Sequence, residues 1–309
     1  PPLLITYARF HTAQGQHDLA IGELKRALEL SPSSPDAYAT LGTVYQAVGR
    51  PSDAETNYKA AVELSPGDWN VHHQLGAFYY SQGRYSDAAS AFRAVVNLTP
   101  DNARALNALG LMLLYLEKFD EAKPLFDRSL AVQPSFPAYN NLGLLHYLRG
   151  EFSPALAAFE AAAAANPAVY SVWGNVAQTW ERLGNIPKAR ILYQKALDMA
   201  LEERKSNPQS ALAIVDIGFY RAVLGAGPAA LAETRQAVRL DPNNPDVLLR
   251  AAETFELAAQ RDEALALVDR AVQARYPKVY LMRNYELLGL YRDPRFIRKY
   301  GTSPLTEME

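Results

Sequence analysis

The chain predicts an all-α fold, an α-solenoid of antiparallel helix pairs. Three observations carry that prediction. Prolines recur at Pro32, Pro66, Pro100, Pro134 and Pro167, in steps of 34, 34, 34 and 33 residues. Glycines keep the same beat at Gly15, Gly49, Gly83, Gly150, Gly184 and Gly225. So do two alanine columns, one from Ala20, Ala54 and Ala88 to Ala264, the other from Ala27 and Ala61 to Ala271. A fixed period of this size marks a repeat architecture, whose units bury their apolar faces only against their neighbours.

The elements follow in order. Eight units start near residues 1, 35, 69, 103, 136, 170, 211 and 245. In the second, Tyr38, Leu41, Gly42 and Tyr45 share one helical face, and Ala54, Tyr58 and Ala61 share another. Gly49 lies between them, where a helix end needs a residue that accepts positive φ. Small Gly42 and Ala54 let the two helices approach, and Tyr58 fills the space beside them. First helices open after Ser34, Asp68, Asn102, Ser135, Ser210 and Asn244, all favoured N-caps. Pro35 and Pro245 follow at the first helical position, which suits proline. By the same logic Pro1 starts a helix whose cap lies upstream, so the chain reads as a segment of a longer protein. The sixth unit runs on through Glu202-Glu203-Arg204-Lys205 until Asn207-Pro208, predicting a longer charged helix that projects from the stack, with an insertion at about 201–210. Residues 1–276 thus form the repeat array and 277–309 its C-terminal capping helices and tail. In that cap a helix is expected from Val279 to Leu290, with Arg283, Asn284 and Glu286 in solvent and Tyr280, Leu281, Leu287 and Leu288 inside. A short helix over Arg295–Tyr300 and a frayed tail from Thr302 follow.

The columns at unit positions 4, 7, 8, 11, 20, 24, 27 and 32 read Tyr38, Leu41, Gly42, Tyr45, Ala54, Tyr58, Ala61 and Pro66 in the second unit. This pattern resembles the tetratricopeptide repeat, and in-phase copies cover nearly the whole chain. The last two units depart from it, with Arg221 and Thr234 at aromatic positions and Ala251 in place of leucine. The resemblance implies the fold, a right-handed superhelical α-solenoid, more strongly than any one function. The closing stretch Tyr291-Arg292-Asp293-Pro294-Arg295-Phe296 is similar to the ends of bacterial signalling proteins in which a repeat array follows a kinase, a cyclase or a winged-helix domain. No glycine-rich phosphate loop or His-Arg-Asp segment accompanies it.

Composition narrows the function. The 309 residues hold 31 Lys+Arg against 33 Asp+Glu, a balance that argues against a nucleic-acid binder. With no cysteine there is no disulfide, no thiolate nucleophile and no cysteine-based zinc site. No apolar run reaches the roughly 18 residues of a membrane helix, and no leader or lipidation motif appears. The expected compartment is the cytoplasm, with the periplasm the alternative. His11 and His146 fall in an interhelical tyrosine column, and His17 in a turn. Adjacent His72 and His73 diverge by about 100° on a helix. No metal, cofactor or catalytic residue is assigned. Glu253 and Glu256 read as a solvated acidic patch.

Binding is the stronger reading. In stacked pairs of this kind the first helices line a concave groove, with positions 2, 5, 6, 9, 12 and 13 facing it. In units three to six these positions supply Asn70, His73, Gln74, Tyr80, Arg104, Asn107, Leu111, Tyr115, Asn140, Asn141, Leu144, Tyr147, Asn175 and Gln178. They form a track of amides beside a strip of tyrosine and leucine. Each carboxamide offers donors and an acceptor to a peptide backbone, and the apolar strip supplies burial at about 25 cal/mol per Å². The amides resemble the asparagine ladder of the O-linked N-acetylglucosamine transferases, although Ala108 interrupts the column. The lysine–asparagine–arginine clamp with which some repeat domains hold a chaperone's C-terminal carboxylate is absent from any three consecutive units. The expected function is a non-catalytic protein-interaction scaffold that holds a peptide or protein segment. The alternatives are self-association, through an open first unit or an exposed Tyr276–Phe296 strip, and a regulatory or substrate-selecting arm of a larger signalling enzyme or glycosyltransferase.

Overall fold

The computed structural model describes residues 2–307, so the readings placed on Pro1, Met308 and Glu309 lie outside the described residues. The fold is all-helical. Helices α1 (Pro2–Ala13) and α2 (His17–Leu30) are followed by α3 (Pro35–Ala47) and α4 (Pro51–Leu64), then α5 (Trp69–Ser81) and α6 (Tyr85–Leu98). Next come α7 (Ala103–Tyr115), α8 (Phe119–Val132), α9 (Phe136–Leu148), α10 (Phe152–Ala165), α11 (Tyr170–Arg182) and α12 (Ile186–Ser206). Then follow α13 (Ala211–Leu224), α14 (Gly227–Leu240), α15 (Pro245–Leu257) and α16 (Arg261–Gln273). Consecutive helices pack in pairs, α3 on α4 and α13 on α14 among them, and first helices touch the next first helix, as α1 does α3 and α13 does α15. The chain divides into two compact units, one ending at Leu113 and the other starting at Leu114.

Local chemistry explains the pairs. Ser34, Asn102 and Ser210 each accept a hydrogen bond from the backbone N–H three residues on, and Asp68 and Asn244 each accept one from the N–H two residues on. Ser135 makes no such bond; its helix starts with Phe136-Pro137 instead. Gly42 faces Tyr58 so closely that a Cβ there would sit 3.0 Å from the ring, and Gly143 faces Phe159 at 2.6 Å. Helix–helix contact at these positions therefore depends on the missing side chain. The hairpin turns adopt positive φ at glycines such as Gly49 and Gly83, but Glu117 (φ 59) and Ala259 (φ 58) occupy the same slot without being glycine.

Helix α12 has 21 residues, as long as its uninterrupted sequence suggests, yet its last turn is tied down rather than projecting. Arg204 donates to Glu233 at 2.6 Å and to Gln236 at 3.2 Å, both on α14.

The C-terminal segment departs most from the sequence reading. Instead of one helix over Val279–Leu290 there is α17 (Lys278–Met282), then single 3₁₀ turns at Tyr285–Leu287 and Leu290–Arg292, then α18 (Pro294–Tyr300). Asn284 breaks the helix. Its N–H donates to the Tyr291 hydroxyl, and its side-chain oxygen accepts from the Glu286 N–H. The same hydroxyl donates to the Leu281 carbonyl at 2.7 Å, pinning both ends of the break. Arg283 and Asn284 are half-buried and Glu286 is buried, the reverse of their expected exposure, because each finds a polar partner inside. The tail is not frayed through its described part: Ser303 and Leu305 are buried, and Ser303 Oγ donates to the Met282 carbonyl. Leu281, Leu287, Leu290, Tyr291 and Phe296 join the core built by α15 and α16, so the Tyr276–Phe296 strip is packed within its own unit and is not an exposed dimerisation surface.

Candidate functional site

The first-helix face of the unit ending at Leu113 carries seven of the expected groove residues. Asn70, Tyr80 and Arg104 are exposed; His73, Gln74, Asn107 and Leu111 are half-buried. His73 stands edge-on to Trp69 and Phe92, with ring centres 6.3 and 5.6 Å away. Burial, and then the Arg104 charge, hold its imidazole below the ordinary value. Tyr80 leans toward Tyr85 at 6.4 Å and keeps 44% of its surface in solvent. Gln74 borders a cavity of about 410 Å³ whose other walls come from α1 and α3.

The second unit carries the other seven, and its own chain already covers part of them. Tyr280 stands edge-on to Tyr115 at 5.4 Å. Tyr285 meets Tyr147 at 5.5 Å and Phe152 at 5.3 Å, and the Arg182 guanidinium lies 5.3 Å over its ring. Arg283 donates to the Leu148 carbonyl at 3.2 Å, lies 3.5 Å from the Glu117 carboxylate and stacks over Phe119. Arg182 binds Glu286 at 2.7 Å. Burial pushes the Glu286 carboxyl above its ordinary value, with Arg182 opposing, and it pushes the Tyr147 phenol up as well. The amides are less open than the sequence implies. Asn175 donates to Asn140 at 3.1 Å, so the two spend part of their capacity on each other, and Asn141 is buried. Leu144 packs into an apolar cluster with Phe159 and Val176, and Gln178 is half-buried.

What holds residues 276–307 here is mainly apolar. Leu287, Leu290 and Phe296 are fully buried, and a side chain of that size contributes about 1.5–3 kcal/mol. Exposed ion pairs contribute under about 1 kcal/mol each. The segment is therefore a resident part of the fold.

Sequence reasoning missed a charged cluster on the same face. Arg250 binds Asp216 at 3.0 Å and Glu253 at 2.7 Å, and Glu253 accepts from Asn284 at 2.6 Å. Glu253 is buried and Glu256 pairs with Arg261, so these two carboxylates are not a solvated patch. Asp216, Arg250 and Glu253 hold unit positions 6, 6 and 9, so extending the groove columns to units seven and eight would have found them. Of the histidines, His146 is buried and bonds Glu151, His11 bonds Gln16, and His17 opens α2 rather than lying in a turn. Among the described residues no three metal-ligating side chains come together, and no helix is long and apolar enough to cross a membrane.

Consecutive helices packed in antiparallel pairs define the class of α-helical repeat proteins. Tetratricopeptide repeat models match residues 9–49, 39–103, 79–143 and 149–211, and the chain belongs to the tetratricopeptide repeat family. The fold is similar to a tetratricopeptide repeat protein of Parabacteroides merdae, with TM-score 0.64 at 18% identity, over 88% of this chain and 98% of that one. It is also similar to Pseudomonas aeruginosa pilF, with TM-score 0.54 at 24% identity, over 67% and 91%. A chain of the APC/C hetero-tetramer Cut9–Hcn1 matches with TM-score 0.56 at 15% identity, over 82% of this chain and 48% of that one. The search of curated proteins gave no match. The family and fold are, in general, those of protein-interaction scaffolds.

Proposed function

We propose that this protein is a non-catalytic scaffold that holds an extended or partly helical segment of a partner protein on its first-helix face. One observation carries the reading. The second unit already holds such a segment, its own residues 280–286, through edge-on tyrosines and an arginine–carboxylate pair. Where residues 280–286 lie, Tyr115 and Tyr147 serve the fold. The open stretch is Asn70, His73, Gln74, Tyr80, Arg104, Asn107 and Leu111 on the first unit.

The test is a photo-crosslinking side chain placed in turn at Tyr80, Tyr147 and Ile191, in the full chain, in cells. Ile191 is 70% exposed on a second helix and serves as the outer-face control. Tyr80 is expected to crosslink a second polypeptide, and Tyr147 to crosslink within the chain to residues 280–286. Partner crosslinks from Ile191 alone would overturn the assignment.

A further inference from the structure

We infer that the cavity between α1, α3 and α5 is a subsite for an acidic side chain of an extended peptide, held by Arg9. The inference rests on the scaffold reading above and names the chemistry of its ligand. The cavity, of about 410 Å³, is lined by Arg9, Thr12, Thr40, Thr43 and Gln74. Arg9 is exposed, and among the described residues no carboxylate or carbonyl pairs with it. Its guanidinium brings five N–H donors.

The threonines supply the opposite half of the chemistry. Thr12 Oγ1 donates to the Ala8 carbonyl at 2.7 Å and Thr40 Oγ1 to that of Asp36 at 2.7 Å, whereas Thr43 Oγ1 is shared between the Ala39 carbonyl at 3.2 Å and the Tyr58 hydroxyl at 3.1 Å. With their protons turned into their own helices, the Thr12 and Thr40 hydroxyls present lone pairs to the cavity. The cavity therefore combines one strong cationic donor with two neutral hydroxyl acceptors and the Gln74 carboxamide. A free inorganic anion satisfies only the first. A peptide satisfies both: its carboxylate pairs with Arg9, and its backbone N–H groups donate to the threonine oxygens.

Charge points the same way. The first-helix positions that face the groove between residues 2 and 113 include Arg9 and Arg104 as cations and Asp36 as the single carboxylate, whereas the whole chain has a formal charge of -2. The second unit shows the pairing at work, where Arg182 of a first helix takes Glu286 from a segment crossing that face. Charge-assisted pairs of this kind are the strong ones.

A phage-displayed library of random twelve-residue peptides, selected on the full chain, tests this. The peptides are fused at their C-termini, so only side-chain carboxylates are on offer. Wild-type protein is expected to enrich Asp- or Glu-containing peptides. Those peptides, made synthetically, should bind Arg9→Gln about tenfold more weakly. Exchanging the peptide's Glu for Gln should cause the same loss in wild type and no further loss in Arg9→Gln. Amidating the free C-terminus should change nothing, and glutarate should not compete. Arg9 is exposed and glutamine is a good helix former, so circular dichroism should show an unchanged fold. Selected peptides without acidic enrichment, or with equal affinity for Arg9→Gln, would overturn the subsite and leave the scaffold reading standing. Competition by glutarate, or dependence on the free C-terminus, would overturn the side-chain assignment. A library from which neither protein retains any peptide would overturn the subsite and the scaffold reading together.

Discussion

Replacing Arg182 by methionine removes the guanidinium but keeps most of the stem. In the intact protein Arg182 and Glu286 meet at 2.7 Å, with 20% and 6% of their side chains exposed. Without Arg182 the Glu286 carboxylate must either stay ionised in a buried site or take a proton. Stranding a buried charge costs about 3–5 kcal/mol. Protonating a carboxyl of ordinary value 4.5 at pH 7 costs about 3.4 kcal/mol, at 1.36 kcal/mol for each of about 2.5 pH units. The proton therefore limits the penalty to about 3 kcal/mol at pH 7. Burial, together with the charges of Glu181 and Glu253, already pushes Glu286 upward, and the variant, without Arg182 to oppose them, carries a folded value above the unfolded one. A carboxyl raised in the fold destabilises at neutral pH and ceases to do so as pH falls to its unfolded value. The penalty should shrink to under about 1 kcal/mol at pH 5. Urea unfolding followed by tryptophan fluorescence reads this, because Trp173 and Trp180 both lie on α11 in the second unit. Adding Glu286→Leu to Arg182→Met should recover most of the loss at pH 7. A penalty equal at pH 7 and pH 5, or untouched by Glu286→Leu, would refute the reasoning.

Three further outcomes are expected. Gly143→Ala should lower the melting temperature more than Gly42→Ala: its Cβ would sit 2.6 Å from the buried Phe159 ring against 3.0 Å from Tyr58, and overpacking of about 1–3 kcal/mol outweighs the roughly 1 kcal/mol gain in helix propensity. Ala259→Gly should raise the melting temperature, because left-handed backbone costs a non-glycine residue about 1–2 kcal/mol, while Glu117→Gly should gain less since it gives up Arg283 at 3.5 Å. Glu55 should titrate near pH 2 by carbon-detected NMR: the Lys59 hydrogen bond draws it down against burial, helped by Arg84 and Tyr79. Its folded value lies below the ordinary 4.5, so its contribution of about 1 kcal/mol is complete above pH 4.5 and disappears as pH falls toward 2. A midpoint near 4.5 would contradict that network.

The helix pairs were legible because each rests on short-range, repeated chemistry. Gly42 against Tyr58 and Gly143 against Phe159 recur one unit after another, and the caps at Ser34 and Asn244 need only their own next turn. Two departures share a cause. Glu117 stands in the glycine column because left-handed backbone is costly but not forbidden to it, so no column marks the exception. The C-terminal segment meets the stack through contacts without any period: Arg283 reaches Leu148 across 135 residues of sequence, and Arg182 reaches Glu286 across 104. Polar residues such as Glu286 and Asn284 look like solvent-facing ones until such partners are known. Tyr115 and Tyr147 meet Tyr280 and Tyr285 of the same chain, and a column cannot show that the chain supplies such an occupant.

That occupant also fixes a length. Ordinary repeat arrays gain and lose units freely, since each unit touches only the next. Here a strap rooted on α15 and α16 is anchored at Glu117, Leu148 and Arg182, several pairs upstream. Deleting or duplicating one pair between those anchors would rotate them out of reach together, whereas an added pair before Leu113 leaves every anchor in place. The second unit behaves as a closed circuit with a set number of turns. Growth, shuffling and engineering of this array are thereby confined to its N-terminal side.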